Sequence, residues 1–225
     1  MFPRQTIFRS ISLALLVLLC AGTGSAVPLS YVGAFNQDDA VQYLFFNVAA
    51  PGTVTIQTWS FGGGTNSAGQ VIPDGGFAPV LTLILPDGTV ATSDFGLFGC
   101  GNCNPDPSLG YGDAYINVPL PEAGQYIVAL TEYDNLPGST LSDGFSRSGQ
   151  GNFTAEFANP YDPNPPQAPF LDYWGDGAKR TGSWAVDISG DEVMTPEPAS
   201  VALVAVGLVL LFAPRRFSLR RLPRV

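Results

Sequence analysis

The sequence of 225 residues contains no histidine. Ser-His-Asp triads, histidine-activated cysteines and HExxH zinc sites all require an imidazole, so these classes of active site are excluded. Charged residues are also few, at 13% of the chain. Glycine (26) and proline (20) are abundant instead, and with frequent Val, Thr, Tyr and Phe they indicate many short strands joined by turns.

Residues 1–26 have the organisation of a secretory signal peptide. Two arginines precede an apolar run over residues 11–21, and the segment ends in the small residues Gly24-Ser25-Ala26. We expect signal peptidase to cleave after Ala26. The alternative is an uncleaved anchor, but the apolar run is shorter than the roughly 20 residues of a spanning helix.

A second apolar run lies near the other end of the chain, over residues 199–213. At ~1.5 Å per residue it spans about 22 Å, so it crosses a ~30 Å hydrocarbon core only if flanking arginines snorkel. We expect a transmembrane helix here. The positive-inside rule places the arginines after it in the cytoplasm and residues 27–197 on the exported side. The predicted cytoplasmic cluster consists of Arg215, Arg216, Arg220 and Arg221, with Arg224 beyond it.

Three features follow one another at this end of the chain. They are the sequence Thr195-Pro196-Glu197-Pro198-Ala199-Ser200, then the apolar run, then the terminal arginines. This order resembles the PEP-CTERM sorting signal of exported proteins of Gram-negative bacteria. The resemblance implies that an exosortase-type membrane enzyme recognises Pro196, Glu197 and Pro198. The signal covers residues 195–225, and the resemblance also implies removal of the tail and delivery to the cell envelope or the extracellular polysaccharide matrix.

The segment between the two ends is strongly acidic. From residue 27 to 195 there are three cations, Arg147, Lys179 and Arg180, against 18 Asp and Glu, which gives a net charge of −15. Such a charge excludes nucleic acid as a partner. It leaves a self-repelling soluble surface, or the binding of cations.

Residues 27–194 are predicted to form an all-β domain, a jelly-roll-like two-sheet β-sandwich. Turn residues separate the strand signals, and two turns predict hairpins: Ala50-Pro51-Gly52 and Pro86-Asp87-Gly88. Strands are expected at 41–48, 53–61, 79–85, 90–93, 115–118, 125–133, 152–157 and 183–188. Alternation predicts an inward face of Leu44, Phe46, Val48, Val54, Ile56, Leu81, Leu83, Leu85, Tyr126, Val128 and Leu130.

Several landmarks of this domain resemble the prepeptidase-C-terminal-like jelly-roll domains of secreted bacterial proteins. They are Asp38-Asp39, Pro51-Gly52, Pro79-Val80-Leu81-Thr82-Leu83, Asp87-Gly88, Asp94 and Ala123-Gly124-Gln125-Tyr126-Ile127-Val128. The later runs around Phe145 and Phe153, with Trp184, are similar to a PEP-CTERM-associated subset without an assigned activity. One position departs from the pattern, because Ala78 stands where these domains often have Asp.

Asp38, Asp39 and Asp94 are candidate ligands for Ca²⁺, which takes 6–8 oxygen ligands. Asp74, Asp106 or Asp113 could complete the shell. The family resemblance and the acidity of the segment favour calcium. The absence of EF-hand spacing, and the solvation that surface carboxylates ordinarily have, argue against it.

Cys100 and Cys103 are the two cysteines left once the signal peptide is removed. A single CxxC without histidine does not complete a four-ligand zinc site, and the surrounding glycines and prolines do not suit the helix of a thioredoxin-like site. We therefore predict a short structural disulfide, in keeping with an oxidising location.

Two further interpretations concern carbohydrate. Glu132 and Asp134 occupy alternate strand positions, roughly 7 Å apart, and could serve a carboxylate-dependent hydrolase. Trp59, Tyr173, Trp174 and Trp184 could stack on sugar rings, although packing roles are commoner.

We expect an exported structural or adhesive protein without catalysis. The alternatives are a carbohydrate- or calcium-binding surface module and the hydrolase. The expected partners are signal peptidase, an exosortase-type enzyme, the membrane and extracellular polysaccharide.

Overall fold

The computed structural model describes residues 27–96, 112–158, 168–171 and 179–194. The predicted signal peptide, the sorting signal with its apolar helix and arginines, and the Cys100–Cys103 pair lie outside these residues. The strands are β1 (Leu29–Ala34), β2 (Gln42–Val48), β3 (Gly52–Thr58), β4 (Gly64–Thr65), β5 (Val71–Ile72), β6 (Pro79–Ile84), β7 (Val90–Asp94), β8 (Tyr115–Leu120), β9 (Gly124–Glu132), β10 (Ser183–Ser189) and β11 (Val193–Met194).

Helical structure is slight in the described part of the chain. It consists of a 3-10 turn at Leu141–Asp143 and one α-helical turn, α1 (Ala155–Ala158). No helix in these ranges has the length and apolar character needed to cross a membrane. By its internal contacts the chain divides into two units, Met1–Met194 and Thr195–Val225, and all described residues belong to the first.

The strands form two antiparallel sheets and a small hairpin. Sheet 1 has the order β1-β10-β3-β8, sheet 2 has the order β11-β2-β9-β6-β7, and β4 pairs with β5. Both sheets contribute buried side chains to one hydrophobic core, so the all-β prediction is confirmed and the architecture is sandwich-like. The core forms because alternate residues of each strand are apolar and turn to the same side.

The predicted inward face is confirmed. Ten of its eleven residues belong to the buried core, and Leu85 packs against that core half-buried. The rings of Phe46 and Tyr126 stack at its centre, with centroids 5.6 Å apart. The Tyr126 hydroxyl lies at the edge of this core and donates a 2.8 Å hydrogen bond to the main-chain oxygen of Glu122, which satisfies its only polar atom.

Of the two predicted hairpins, one is confirmed and one is wrong. β6 and β7 pair across the turn at Pro86-Asp87-Gly88, where Gly88 has φ +87°. β2 and β3 do not pair, because β2 lies in sheet 2 beside β9 and β3 lies in sheet 1 between β10 and β8. The apolar faces of β2 and β3 meet across the core, so the chain at residues 49–51 crosses from one sheet to the other.

The strand predicted at 152–157 is also wrong. Residues from Ala155 form the helical turn α1, and the residue before it, Thr154, is buried and hydrogen-bonded to Asp38. A tertiary contact thus overrides the β-propensity of Phe153 and Thr154.

The chain after β9 covers the outer face of sheet 2. Phe145 is buried there against Ile84 and Ala129, and its ring lies 6.3 Å from that of Tyr43. β6 is consequently buried on both of its faces, which explains why all six of its residues are inaccessible. Farther along the same outer face Phe45 remains 53% exposed.

Candidate functional site: the groove beside Asp94

A groove of about 260 Å³ runs between the edge strands β7 and β8. The two strands belong to different sheets, and the groove therefore lies between an edge of sheet 1 and an edge of sheet 2. Residues 92–94 form one wall, and residues 115–118 form the other. Each edge strand also presents one row of main-chain N–H and C=O groups away from its own sheet.

The inward positions of β7 are polar. Asp94 lies opposite Leu81 and Thr92 lies opposite Leu83 in the β6–β7 register, so both point to the side of the sheet that carries the core. Ile116, which is buried, and Val118, which is half-buried, face them from β8. The groove therefore combines two polar groups with an apolar wall.

Asp94 joins the two edges at one end of the groove. It is 6% exposed, and its Oδ2 accepts hydrogen bonds from the main-chain N–H of Tyr115 at 2.9 Å and of Gly96 at 3.2 Å. Burial raises the pKa of Asp94 above its ordinary value, and the two hydrogen bonds oppose that rise. Buried carboxyls with a raised pKa are common in functional sites. Buried carboxyls that only stabilise the fold can have the same shift.

Gly96 and Gly112, the described residues on either side of positions 97–111, lie in close contact. A Cβ atom on Gly96 would lie 2.4 Å from the main-chain oxygen of Gly112, and Gly96 has φ +56°, so no other residue fits this close approach without a shift. Residues 97–111, which include Cys100, Cys103 and Asp106, lie outside the described residues. The predicted disulfide thus falls in a segment whose two ends meet beside the groove.

Asp38 is a structural anchor. Its Oδ2 accepts hydrogen bonds from Thr154 N and Thr154 Oγ1, at 2.8 and 2.6 Å, and its Oδ1 accepts one from Phe170 N at 2.7 Å. The neighbouring Asp39 accepts a 3.0 Å hydrogen bond from Gly151 N. Both carboxylates are turned toward N–H and O–H donors, whereas a metal ligand turns its lone pairs toward a cation.

The structure does not bring the predicted calcium ligands together. Across the described ranges, no three Asp, Glu or Cys side chains form a group that could hold a metal ion. Asp74, one of the residues expected to complete the shell, is exposed in the β5–β6 connection. The calcium site remains a prediction without support from geometry.

Two further aspartates, Asp113 and Asp187, hold loops in place through hydrogen bonds. The sequence had suggested calcium binding for Asp113 and no role for Asp187. Asp113, considered above as a calcium ligand, accepts hydrogen bonds from Thr58 Oγ1 and from three successive main-chain N–H groups, at 2.6–3.2 Å. Those groups belong to residues 60–62 of the loop after β3. Burial raises the pKa of Asp113, and its hydrogen bonds lower it in part.

Asp187 lies at the middle of β10. Its Oδ2 accepts hydrogen bonds from Trp59 Nε1 at 2.8 Å and from Ser67 N at 2.7 Å, which ties the hairpin β4–β5 to the outer face of sheet 1. The sequence carried a signal for this role, because a lone charge in the apolar run Trp184-Ala185-Val186-Asp187-Ile188 needs buried partners.

Glu132 and Asp134, the two carboxylates considered for a hydrolase, do not lie on the same strand. Glu132 is the last residue of β9 and is 3% exposed, whereas Asp134 lies beyond the strand. Asp134 accepts hydrogen bonds from Arg147 Nη2 at 2.6 Å and Arg147 Nε at 3.1 Å. Asp134 is thus engaged in an ion pair in which its Oδ2 accepts two N–H groups of Arg147, one of the few cations of the domain.

The described tryptophans have packing roles. Trp184 is 6% exposed in the core, 6.0 Å from the ring of Phe35, and its indole covers Gly33 of the neighbouring strand β1. Trp59 lies against Gly64 and donates its N–H to Asp187. Tyr173 and Trp174 lie outside the described residues.

No protein-family model matches the chain, and a search of curated proteins returns no match.

Proposed function

We propose that this is an exported structural or adhesive protein of the bacterial envelope or extracellular polysaccharide matrix, sorted through a PEP-CTERM-type signal and without catalysis. One observation carries the proposal. Among the residues that the structure describes, the first strand begins at Leu29, three residues after the predicted cleavage site, and the last ends at Met194, two residues before Pro196. All of the described strands therefore lie between the two predicted processing signals, so that removal of either signal would leave each of them in place.

The acidic side chains support a role without catalysis. Asp38, Asp113 and Asp187 each accept three or four hydrogen bonds from residues that are distant in sequence. They stabilise a fixed shape suited to display on a surface. The jelly-roll topology expected from the family resemblance is part of the same proposal.

The sorting proposal is tested by replacing Pro196, Glu197 and Pro198 with alanine and measuring the C-terminal residue by mass spectrometry, together with cell fractionation. We expect the wild-type protein to lose its tail and the variant to keep Val225 and remain in the inner membrane. A matched control replaces the exposed Pro121 and Glu122 of the β8–β9 turn with alanine, and it should be processed as wild type. An intact C-terminus in the wild-type protein, with the same localisation in both, would refute the proposal.

The second candidate is a carbohydrate- or calcium-binding surface module. The groove between β7 and β8 favours carbohydrate, since it offers polar groups beside an apolar wall. The calcium part is tested by melting full-length protein with and without millimolar Ca²⁺. A Tm rise that disappears in Asp39→Ala supports it, and an unchanged Tm counts against it.

A further inference from the structure

The last described strand, β11, is only two residues long. It pairs with β2 at Val193–Val48 and Met194–Asn47, whereas β9 pairs with β2 along its whole length of seven residues. We propose that β11 detaches from β2 before the sorting motif is processed, and that the strength of its attachment sets the rate of processing. The inference rests on the proposed function and deepens it, since it names a step that regulates processing at residues 196–198.

Val193 is the main attachment of β11. It is 5% exposed and belongs to the hydrophobic core, whereas Met194 is 48% exposed. Just before β11, the main-chain oxygen of Glu192 accepts a 2.9 Å hydrogen bond from the N–H of Ala49. Because so short a segment buries so little, its local opening requires far less free energy than unfolding of the whole sandwich.

Detachment of β11 leaves the other strands paired. β10, the strand before it in the chain, lies in sheet 1 between β1 and β3, whereas β11 lies in sheet 2. Residues 190–192 therefore cross from one sheet to the other, and β11 can leave β2 without breaking any pair of β10. β2 also keeps its pairing with β9 from Gln42 to Val48. The opening is thus confined to the end of the domain.

The position of β11 in the sequence gives the reason for its detachment. Thr195 alone separates Met194 from Pro196. An enzyme that binds a peptide in extended form contacts residues on both sides of the bond it cleaves, and folded segments are cleaved from their opened state. One residue spans at most ~3.6 Å, so Thr195 offers almost no extended chain before the paired residues begin. With β11 detached, residues 190–195 offer about 20 Å.

The first test locks β11 in place. Asn47 and Met194 are both exposed and lie opposite each other in the β2–β11 register, a relationship whose Cα separation suits a disulfide. The double variant Asn47→Cys, Met194→Cys therefore cross-links the two strands. The full-length protein is pulse-labelled in its bacterial host, with and without a thiol reductant, and loss of the tail is followed by gel mobility and mass spectrometry. The two single variants are the matched controls, because each lacks the cross-link.

The second test weakens the attachment from the side of β2, so that the sequence beside the motif stays unchanged. Val48→Ala removes the buried partner of Val193. Val128→Ala is the matched control, because it truncates an equally buried valine in β9, which does not pair with β11. Hydrogen exchange of the Ala49 amide, which is bonded to Glu192, measures the opening on purified full-length protein.

We expect the oxidised double variant to be processed at least roughly tenfold more slowly than its reduced form. Val48→Ala should be processed roughly threefold to tenfold faster than wild type and Val128→Ala, in step with faster exchange at Ala49. If Val48→Ala does not fold, the double variant decides alone.

Two results overturn the inference and leave the sorting proposal intact. One is equal processing of the oxidised double variant and the single variants. The other is equal processing of Val48→Ala and wild type despite faster exchange at Ala49. A wild-type protein that keeps its tail refutes the sorting proposal, and the inference with it.

Discussion

Thr154 and Asp38, 116 residues apart in the chain, are joined by two hydrogen bonds, from the Thr154 N–H at 2.8 Å and from its hydroxyl at 2.6 Å. Both residues are fully buried. The Thr154 hydroxyl also accepts a 3.0 Å hydrogen bond from Leu171 N, so this pair links the β1–β2 loop to two later segments. A single buried carboxylate thus holds together three segments that contain almost no regular secondary structure.

Replacing this anchor should destabilise the fold. In Asp38→Asn one oxygen becomes an NH₂ group that faces N–H donors, and we expect the free energy of unfolding to fall by about 3 kcal/mol. Asp74→Asn, at an exposed position, is the matched control and should change it by less than about 0.5 kcal/mol. Urea unfolding of the full-length protein measures both, and equal midpoints for the two variants would show that Asp38 is not an anchor.

The contact between Gly33 and Trp184 predicts a steric effect. A Cβ atom at position 33 would lie 2.3 Å from Cζ2 of the indole, so Gly33→Ala must displace either the ring or strand β1. We expect a loss of roughly 1–3 kcal/mol. The same substitution in a Trp184→Leu background should cost less, because the smaller side chain leaves room. Additive effects of the two substitutions in unfolding experiments would contradict this explanation.

Phe145 and Phe45 both lie on the outer face of sheet 2 and differ in how far they are exposed, so their substitutions can be compared. Phe145 is 9% exposed and Phe45 is 53% exposed. We expect Phe145→Ala to cost about 3 kcal/mol and Phe45→Ala much less, because only the first creates a cavity. Hydrogen exchange should show earlier opening at residues 136–150 in Phe145→Ala alone. Equal exchange in the two variants would mean that Phe145 does not hold this segment.

Stability should also depend on pH through the buried aspartates. Burial raises the pKa of both Asp94 and Asp113. A carboxyl that holds its proton more tightly in the folded state stabilises the fold below its unfolded pKa of about 4. That contribution is lost as the pH rises through the folded value. We therefore expect these two groups to lower the free energy of unfolding between about pH 4 and neutrality, and Asp94→Asn to remove part of the decline.

Asp87 provides the control for this pH dependence. The main-chain hydrogen bond from Thr89 lowers the pKa of Asp87, so its contribution has the opposite sign and is lost as the pH falls. Asp87→Asn should not flatten the decline. A decline of the same slope in wild type and Asp94→Asn, measured by urea unfolding across this range, would contradict the assignment to Asp94.

Local chemistry made much of the fold predictable. The alternation that placed Leu44, Phe46, Val128 and Leu130 inward depends on the period of a strand, which is a property of each segment alone. The β6–β7 hairpin was predictable for the same reason, since proline and glycine favour its turn directly. The β2–β3 hairpin was not, because a short turn fits both a hairpin and a crossing between sheets, and only the packing of the two apolar faces decides between them.

The candidate site was predictable only in part. Asp94 was singled out as an acidic residue, but its partner across the groove, Tyr115, is 21 residues away and belongs to the other sheet. Asp38 and Asp39 were grouped with it because aspartates are calcium ligands, and only the tertiary structure separates carboxylates that accept N–H groups from those that could face an ion. Asp187 shows the same limit, since its partners Trp59 and Ser67 come from distant loops.

The sequence by itself determined the class of fold, the faces of the strands, the acidity of the domain and the exclusion of histidine chemistry, because composition and short periods express these properties directly. The tertiary structure decided the pairing of strands across two sheets, the use of buried aspartates as loop anchors, and the groove in which Thr92 and Asp94 face an apolar wall. These features depend on contacts between residues tens of positions apart, which become neighbours only when the two sheets bury their apolar faces against each other.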